Sequence, residues 1–362
     1  MQILSRISHK EFKSIMKTDP QKIIKKIKES GLTGRGGAEF PTGLKWEFTR
    51  KSRGERVLIC NADEGEPGTF KDKFIIENNL STLLQGIAIG GHVLNAECFI
   101  YLRGEYSYLR GKIERMIKKL GFNIKIVTGA GAYICGEETS LLESVEGKRG
   151  APRQKPPYPT MEGLWKRPTC INNVETLANI PLLLTKKDWD EKKRLFSLSG
   201  NVKKPGVYEL PLGMKLKDIL SLAEPKKIKA VCLGYSGGII PFDKFKNLVV
   251  SPKSFSDKSF MLGSCAMIVM GNRSVVNVLK NIAEFFVHES CGKCIPCREG
   301  GFKIMELLKK VDSGKGRKKD IKELKDLAEY LDVSFCALGK GYGFTISSAL
   351  KHFKKEFDGK CR

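Results

Sequence analysis

The 362-residue sequence predicts an α/β domain, followed by a smaller α+β module and a C-terminal four-helix bundle. Between residues 57 and 129, apolar runs of strand length alternate with runs of helical periodicity, which is typical of a parallel sheet. From about residue 190, short strand-like runs are separated by Pro-Gly turns. Residues 271–362 carry apolar side chains at helical spacing, and this pattern predicts the bundle.

The chain opens with residues 11–30, which predict short amphipathic helices with their lysines facing outward. Residues 31–48 are rich in glycine, which is costly inside a helix or a central strand. They therefore predict a loop that follows a ligand closely. Residues 151–170 are rich in proline and predict an extended segment on the surface of the domain, outside the sheet.

The α/β domain is expected to contain three strands joined by two helices. The predicted strands are 57–60, 97–103 and 122–129, and the helices are 83–94 and 106–121. Strand–helix–strand connections of this kind predict a Rossmann-like parallel sheet with right-handed crossovers. A ligand is expected at the carboxyl ends of the strands, where a second glycine-rich turn at 129–136 opens another helix.

These elements divide the chain into four predicted regions. They are an N-terminal helical arm at 1–30, the α/β domain at 31–188, the α+β module at 189–270 and the helical bundle at 271–362.

The composition narrows the class of protein. Lysine and arginine outnumber aspartate and glutamate by 64 to 40. A solvated lysine-rich surface is the default explanation of this excess, and a nucleotide ligand or a polyanionic partner such as nucleic acid is the alternative. Nucleic-acid binding would require a basic stripe interleaved with aromatic residues, whereas these lysines lie on several predicted helices.

No apolar run reaches the ~20 residues that span a bilayer. The N-terminus lacks signal-peptide features, and the cysteine count of eleven is odd, so a cytoplasmic protein with reduced thiols is expected.

Three cysteines recur with a period of three in SCGKCIPCREG, at Cys291, Cys294 and Cys297. Structural zinc sites usually offer two separated Cys-x-x-Cys pairs. Three thiolates this close instead suit a 4Fe–4S cluster whose fourth ligand comes from elsewhere in the chain. Cys336 is the best candidate for that ligand. Zinc or unligated thiols are the alternative interpretation. Six of the other cysteines are expected to be buried thiols, and Cys361 is expected to have no role.

A second group of residues suits a nucleotide or a flavin. The turn GAGAYICG departs from G-x-G-x-x-G, yet its backbone N–H groups could hold a phosphate or a flavin ring. A purely structural glycine turn is the equal alternative. Asp63, Glu64 and Glu66 follow the first strand and could accept hydrogen bonds from sugar or ribityl hydroxyls, or could be solvated loop acids. Asn172 and Asn173 could donate amide hydrogen bonds, or could be plain turn residues.

Five motifs occur in order between residue 31 and about residue 357. They are GLTGRGGAEFPTGLKW, CNADEGEPGTFKDK, GAGAYICGEETSLLES, INNVETLANI and ESCGKCIPCREG. Together they resemble the NADH-binding flavoprotein subunit of respiratory complex I and the related diaphorase subunits of NAD-linked hydrogenases and formate dehydrogenases. The resemblance implies FMN with NADH stacked on it in the α/β domain, a β-grasp-like middle module and one 4Fe–4S cluster in the bundle. The arm before Gly31 is shorter than in the complex I subunit, which leaves the parent complex open.

The resemblance also implies roles for individual residues. The loop that cradles FMN and NADH would contain Gly34, Arg35, Gly36, Gly37 and Lys45. Further FMN contacts would come from Asn61, Asp63, Asn172 and Asn173, and adenine stacking from Phe40, Phe48 and Tyr158. Glu66 matches a carboxylate near the flavin and nicotinamide and is the candidate catalytic residue. The remaining cofactor-binding candidates are Glu64, Tyr133, Gly136, Glu137, Glu138 and Lys155. Because Glu138 matches a position near the NADH ribose, its charge would repel a 2′-phosphate, and NADH is expected over NADPH.

The function that the resemblance implies is an NADH dehydrogenase module. Hydride would pass from NADH to FMN, and single electrons would then pass to the cluster, so the flavin carries the chemistry. The implied partners are a thioredoxin-like 2Fe–2S subunit and a larger iron–sulfur subunit, with membrane contact only through the parent complex. The alternative is a catalytically silent or NADPH-using scaffold subunit, which loss of Glu66, a glycine loop or a cluster cysteine would favour. None of these is lost.

Overall fold

The computed structural model describes residues 5–361, which form two compact units. The first unit consists of residues 5–65 and 70–195, and the second of residues 66–69 and 196–361. This division is coarser than the four predicted regions, whose boundaries stay a prediction. Within the described range, none of the helices is both long and apolar enough to span a bilayer.

The first unit is built on a parallel sheet. Its helices and strands are α1 (His9–Met16), α2 (Pro20–Glu29), α3 (Thr42–Lys51), β1 (Arg56–Ala62), α4 (Lys71–Asn78), α5 (Leu80–Leu94), β2 (Ala96–Leu102), α6 (Arg110–Leu120), β3 (Ile124–Thr128), α7 (Glu138–Val145), β4 (Thr169–Asn173) and α8 (Val174–Thr185). The strand order is β3–β2–β1–β4, and each neighbouring pair is parallel. Residues 57–60 of β1 are fully buried, as expected for a central parallel strand covered on both faces. The predicted Rossmann-like parallel sheet is confirmed.

Two predictions about the first unit are wrong. The segment 151–170 was expected to stay outside the sheet, but its last two residues begin β4, which pairs with β1 from Thr169 opposite Val57. The sequence TCINN gives no apolar run that would mark this strand. The run 31–48 is a loop only as far as Pro41, because α3 begins at Thr42.

The glycine in α3 has a packing role. A Cβ atom at Gly43 would lie 2.5 Å from Cγ and 2.9 Å from Cα of Lys28 on α2. The absence of a side chain at Gly43 therefore lets the two helices pass close together. The other glycines of the run 31–48 all precede α3. Because the prediction averaged glycine content over the whole run, it missed the helix at its end.

The second unit combines a mixed sheet with a helical bundle. Its elements are β5 (Lys193–Gly200, beginning in the first unit), β6 (Gly206–Pro211), α9 (Leu216–Ser221), β7 (Ala230–Cys232), β8 (Ile239–Pro241), α10 (Phe242–Phe245), α11 (Pro252–Ser256), β9 (Ala266–Met270), α12 (Val275–Glu289), α13 (Gly301–Asp312), α14 (Lys318–Tyr330), α15 (Ala337–His352) and α16 (Lys354–Asp358). The strand order is β6–β5–β9–β7–β8, with β5 parallel and β7 antiparallel to β9. The predicted α+β module is confirmed.

The bundle consists of α12, α13, α14 and α15. Helix α12 packs against α13 and α15, and α14 packs against the same two helices, which confirms the predicted four-helix arrangement. Helix α15 begins at Ala337, well before the predicted helical run at its carboxyl end. Glycines in its first two turns hid this start, because they carry no apolar side chain that would show the helical period.

Candidate cofactor sites

The carboxyl end of β1 meets the glycine-rich turn 129–136. The Asn61 side chain donates a hydrogen bond from Nδ2 to the backbone oxygen of Gly136 over 3.0 Å. Its Oδ1 atom accepts a hydrogen bond from the N–H of Asp63, also over 3.0 Å. A Cβ atom at Gly136 would lie 3.4 Å from the backbone oxygen of Asp63. The structure thus brings together three of the predicted cofactor-binding residues at the predicted edge of the sheet.

Four charged side chains gather beside this turn. Lys155 donates hydrogen bonds to Glu138 over 2.6 Å and to Glu137 over 3.2 Å, and Lys45 lies 3.4 Å from Glu138. Burial acts to raise the pKa of Glu138, but the charges of Lys45 and Lys155 outweigh it and hold that pKa below its usual value. The two lysines and two glutamates cancel in formal charge. The repulsion of a 2′-phosphate expected from Glu138 is therefore weakened by its own partners.

The second oxygen of Glu137 holds the start of α7. Oε2 accepts hydrogen bonds from the N–H groups of Thr139 and Ser140, both over 2.9 Å. A carboxylate at this position satisfies backbone donors that a helix leaves unpaired at its N-terminus. Glu137 therefore fixes the turn-to-helix junction in addition to pairing with Lys155.

The amide side chains at the end of β4 are held from two sides. Trp46 of α3 donates from Nε1 to Oδ1 of Asn172 over 2.8 Å. Asn173 donates from Nδ2 to Asp72 over 2.5 Å, and its Oδ1 accepts a hydrogen bond from Lys71 over 3.2 Å. Both asparagines are thus oriented residues and not mobile turn residues.

A buried charge cluster that the sequence did not predict supports Asn173. The Nζ atom of Lys71 lies 2.6 Å from Asp72 and 3.0 Å from Glu175, and all three side chains are at most 4% exposed. Burial acts to lower the pKa of Lys71, but Asp72 and Glu175 outweigh it and raise the pKa. All three residues lie in the motifs CNADEGEPGTFKDK and INNVETLANI, but neither motif shows that the two segments are in contact.

The Glu64 carboxylate holds the first turn of α4 in place. Its two oxygens accept hydrogen bonds from the N–H groups of Asp72, over 2.8 Å, and Lys73, over 3.0 Å, at the start of α4. The Tyr106 hydroxyl donates to the same carboxylate over 3.1 Å. Burial and the neighbouring Asp72 carboxylate raise the pKa of Glu64. Glu64 anchors α4, and its predicted cofactor contact stays a prediction.

The first glycine loop lies against the end of β4. A Cβ atom at Gly36 would lie 3.4 Å from the Cβ atom of Asn173, and Gly37 has a φ of +105°. The loop closes where the Gly34 N–H donates to the backbone oxygen of Phe40 over 2.9 Å. Arg35 is buried, and its Nη2 atom donates to the Glu191 backbone oxygen over 2.8 Å. The loop can therefore offer its backbone to a ligand, while the Arg35 side chain packs into the unit.

The three aromatic residues that were predicted to stack on adenine are exposed in the first unit. Phe40 is 43%, Phe48 48% and Tyr158 55% exposed. Lys45 lies 5.8 Å from the centroid of the Phe40 ring. Tyr133 begins a short 3₁₀ turn, and a Cβ atom at Gly65 would be 3.0 Å from its ring. At 48% exposure Phe48 does not pack in the core, and its stacking on adenine stays a prediction.

Glu66 belongs to the second unit. Its Oε1 atom accepts hydrogen bonds from the N–H groups of Tyr235, over 2.6 Å, and Ser236, over 3.0 Å, and from the Ser236 hydroxyl over 3.0 Å. Gly234 has a φ of +56°, and a Cβ atom there would lie 2.6 Å from the same oxygen. The Glu66 carboxylate is therefore fixed on a backbone turn, and its catalytic role stays a prediction.

The second unit also brings the two cysteine segments together. Cys291, Cys294 and Cys297 lie where a π-helical turn, Pro296–Gly300, leads into α13, and Cys336 is the residue that caps α15. Lys293 lies 4.5 Å from the centroid of the Phe335 ring, so residues next to predicted ligands of both segments are in contact. A Cβ atom at Gly339 in α15 would lie 3.3 Å from the Cβ atom of Cys297.

The surroundings of these cysteines suit an iron–sulfur cluster. In the described range no three His, Cys, Asp or Glu side chains stand at the mutual distances of metal ligands, so the four-cysteine ligand set stays a prediction. The donor set is nevertheless purely thiol, and Cys297 is buried. The Ser334 hydroxyl beside it is buried and has no hydrogen-bond partner among residues 5–361. A buried donor without a partner fits a site where cluster sulfur atoms would accept hydrogen bonds.

The remaining cysteines fit the predicted inert role. Six of them are buried, and none of the eleven, all of which lie in the described range, forms a disulfide. Burial raises the pKa of the Cys98 and Cys170 thiols to about 12, which keeps them protonated near neutral pH.

Comparison with known families identifies both regions. Residues 27–182 match the family described as the Nuo51 FMN-binding domain, and residues 277–360 match the NADH-ubiquinone oxidoreductase-F iron-sulfur binding region. Residues 195–223 match the SLBB domain. The first match covers the sheet edge described above, and the second contains the four cysteines.

The chain is similar over nearly its whole length to proteins of known identity. It is 41% identical to an F-type subunit of the NADH-quinone oxidoreductase of Rhizobium meliloti, covering 95% of this chain and 90% of that protein. It is 41% identical to the corresponding F-type subunit of Aquifex aeolicus, covering 94% and 86%. Among solved structures, it resembles a chain of NAD⁺-reducing [NiFe]-hydrogenase in the H₂-reduced state, with a TM-score of 0.90 and 34% identity. That match covers 95% of this chain but only 63% of the hydrogenase chain.

Proposed function

The chain belongs to the family of NADH-quinone oxidoreductase F-type subunits, and on that basis we propose that it is the NADH-oxidising module of a larger complex. When bound, FMN would accept the hydride from NADH and release electrons one at a time toward the 4Fe–4S cluster. The observation that carries the proposal is the gathering of Asn61, Asp63, Gly136 and Asn173 at one sheet edge, inside the region that matches the FMN-binding family.

The residues of the first unit would bind and orient the two cofactors. The Gly36–Gly37 loop and the 129–136 turn offer backbone N–H groups next to side chains that are already fixed, which suits a phosphate and a flavin ring. Exposed aromatic rings at Phe40 and Tyr158 offer flat surfaces for an adenine. Lys45 and Lys155 supply cations for the pyrophosphate, while Glu138 keeps them in place.

The residues of the second unit would carry electrons out. The four cysteines would hold the cluster, and a chain with one cluster needs a partner that accepts its electrons. The relatives are named as subunits, and the matching hydrogenase reduces NAD⁺, which supports assembly into a respiratory or hydrogenase complex. The expected partners are a thioredoxin-like 2Fe–2S subunit and a larger iron–sulfur subunit.

An anaerobic absorbance titration of the reconstituted protein with NADH, repeated with NADPH, tests the proposal. NADH at low concentration should bleach the flavin band, and reduction of the cluster should follow. If the protein holds flavin and iron but NADH changes neither spectrum, the catalytically silent alternative replaces the proposal. A response to NADPH alone would show that the predicted role of Glu138 is wrong.

A further inference from the structure

One hydroxyl group already contacts a predicted cluster ligand. The Ser290 Oγ atom lies 3.2 Å from the Sγ atom of Cys297, a distance that permits a hydrogen bond. The same Oγ atom accepts a hydrogen bond from the N–H of Gly292 over 3.2 Å. Because Gly292 occupies an acceptor position of the oxygen, the hydroxyl hydrogen is free to point at the sulfur. Ser290 is therefore arranged as a donor to Cys297.

A second hydroxyl, that of Ser334, lies near Cys297. The Ser334 side chain is only 3% exposed, and its hydroxyl has no partner among the described residues. A Cβ atom at Gly339 would lie 2.3 Å from Ser334 Oγ and 3.3 Å from Cys297 Cβ, so both residues approach the same bare position on α15. A buried hydroxyl without an acceptor is unfavourable, and the sulfur atoms held by Cys297 would provide one.

We propose that the hydroxyls of Ser290 and Ser334 are paired hydrogen-bond donors that raise the reduction potential of the cluster held by Cys297. Ser290 donates to the Cys297 thiolate, and Ser334 supplies the second donor beside it. Reduction adds a negative charge to the cluster, and hydrogen bonds to its sulfur atoms stabilise that charge. The inference rests on the proposed function, because it requires a 4Fe–4S cluster at these cysteines.

The two serines would set how readily the cluster accepts an electron relative to the flavin. A cluster that accepts hydrogen bonds from both hydroxyls would be easier to reduce, which would favour electron transfer to it from a bound flavin. Gly339 is a positioning residue in this arrangement, because any side chain there would displace Ser334 from Cys297. The two serines alter a potential and need not touch the reacting atoms.

A redox titration monitored by low-temperature electron paramagnetic resonance tests the inference on the reconstituted full chain. The variants are Ser290→Ala, Ser334→Ala and the double variant, each with iron and sulfide content measured. At the ambient potential that half-reduces the wild-type cluster, the reduced-to-oxidised ratio in Ser290→Ala should fall about tenfold, which is 59 mV for a one-electron couple. Ser334→Ala should shift the ratio in the same direction, and the double variant should shift it further.

Two matched controls separate the potential from folding. Ser290→Thr keeps the hydroxyl and should keep the wild-type potential. Ser313→Ala removes an exposed hydroxyl of the same unit that donates to the Lys310 backbone oxygen, and it should change nothing.

The outcomes distinguish this inference from the proposed function. Unchanged potentials in alanine variants with full iron content would overturn the inference and leave the function standing. Loss of iron from both single alanine variants would show that the serines hold the cluster in place, and would also overturn it. A wild-type protein that takes up neither flavin nor iron would instead overturn the proposed function.

Discussion

Replacing the buried Lys71 by methionine should destabilise the first unit by about 3–5 kcal/mol. Methionine has a similar length and shape but carries no charge. Lys71 lies 2.6 Å from Asp72 and 3.0 Å from Glu175, with side-chain exposures between 2% and 4%. Its removal leaves two carboxylates buried without a cation, and one removed partner of a single buried pair already costs this amount.

The distribution of tryptophan makes the measurement specific. All three tryptophans of the chain, Trp46, Trp165 and Trp189, lie in the first unit. Urea unfolding followed by tryptophan fluorescence therefore reports the free energy of unfolding of that unit, even if the second unit unfolds separately.

The pH dependence has a defined sign. In wild type, the charge of Lys71 opposes the burial that raises the pKa of Glu64 to about 7, so Lys71→Met should raise this folded-state pKa further above its unfolded value of about 4.3. A carboxyl group with a raised folded-state pKa contributes stability that is lost as the pH rises through that pKa. The deficit of the variant relative to wild type should therefore be smaller at pH 5 than at pH 8.

The control is Lys73→Met on the same helix. Lys73 is 38% exposed and lies 3.9 Å from Glu77, so its loss should cost no more than about 0.5 kcal/mol. A Lys71→Met variant that loses less than about 1 kcal/mol, or whose deficit does not depend on pH, would refute the reasoning. Because Lys71 also donates to Asn173, the variant should retain less FMN after gel filtration.

The remaining predictions concern three separate sites. Cys336→Ser should abolish the cluster signal in electron paramagnetic resonance while the flavin absorbance remains, and retention of full iron content would contradict the ligand assignment. Glu138→Gln leaves its two lysine partners in excess, so the preference for NADH over NADPH in the absorbance titration should fall roughly fivefold, or about 1 kcal/mol. Gly86→Ala should cost at least about 2 kcal/mol in urea unfolding, because its Cβ would lie 1.9 Å from the Leu177 oxygen. Gly111→Ala, in the first turn of α6, is its control: its Cβ would have the flexible end of Arg115 as nearest neighbour, at 3.4 Å, so the change should be neutral or stabilising.

The parallel sheet was predictable because its central strands are continuous apolar runs. The strand β1 is buried on both faces, so its sequence alone identifies it. The edge strand β4 ends in two asparagines whose side chains lie at the candidate site, and this polar end removed the apolar pattern that would have predicted the strand. Polar side chains at the end of β4 therefore hid this strand from prediction by apolar pattern.

The candidate site was predictable as a set of residues but not as a set of contacts. The motifs located Asn61, Glu138 and Asn173, and the structure places each at the end of a strand or the start of a helix. The cluster of Lys71 with Glu175 joins residues that are far apart in the sequence. No pattern within either motif could reveal it, because buried ion pairs depend on tertiary packing.

Glycine shows the same limit most clearly. The glycine-rich composition predicted close approach of the backbone to a ligand, and for the loop at Gly36 this stays a prediction. Elsewhere the missing side chain admits another part of the protein: Lys28 at Gly43, and Ser334 with Cys297 at Gly339. A glycine in the sequence marks a place where something comes close, but only the fold shows whether that neighbour is protein or ligand. At Gly339 the neighbours are Ser334 and Cys297, and both would contact a bound cluster. The missing side chain at Gly339 would therefore serve the packing of the protein and the binding of the cofactor at once.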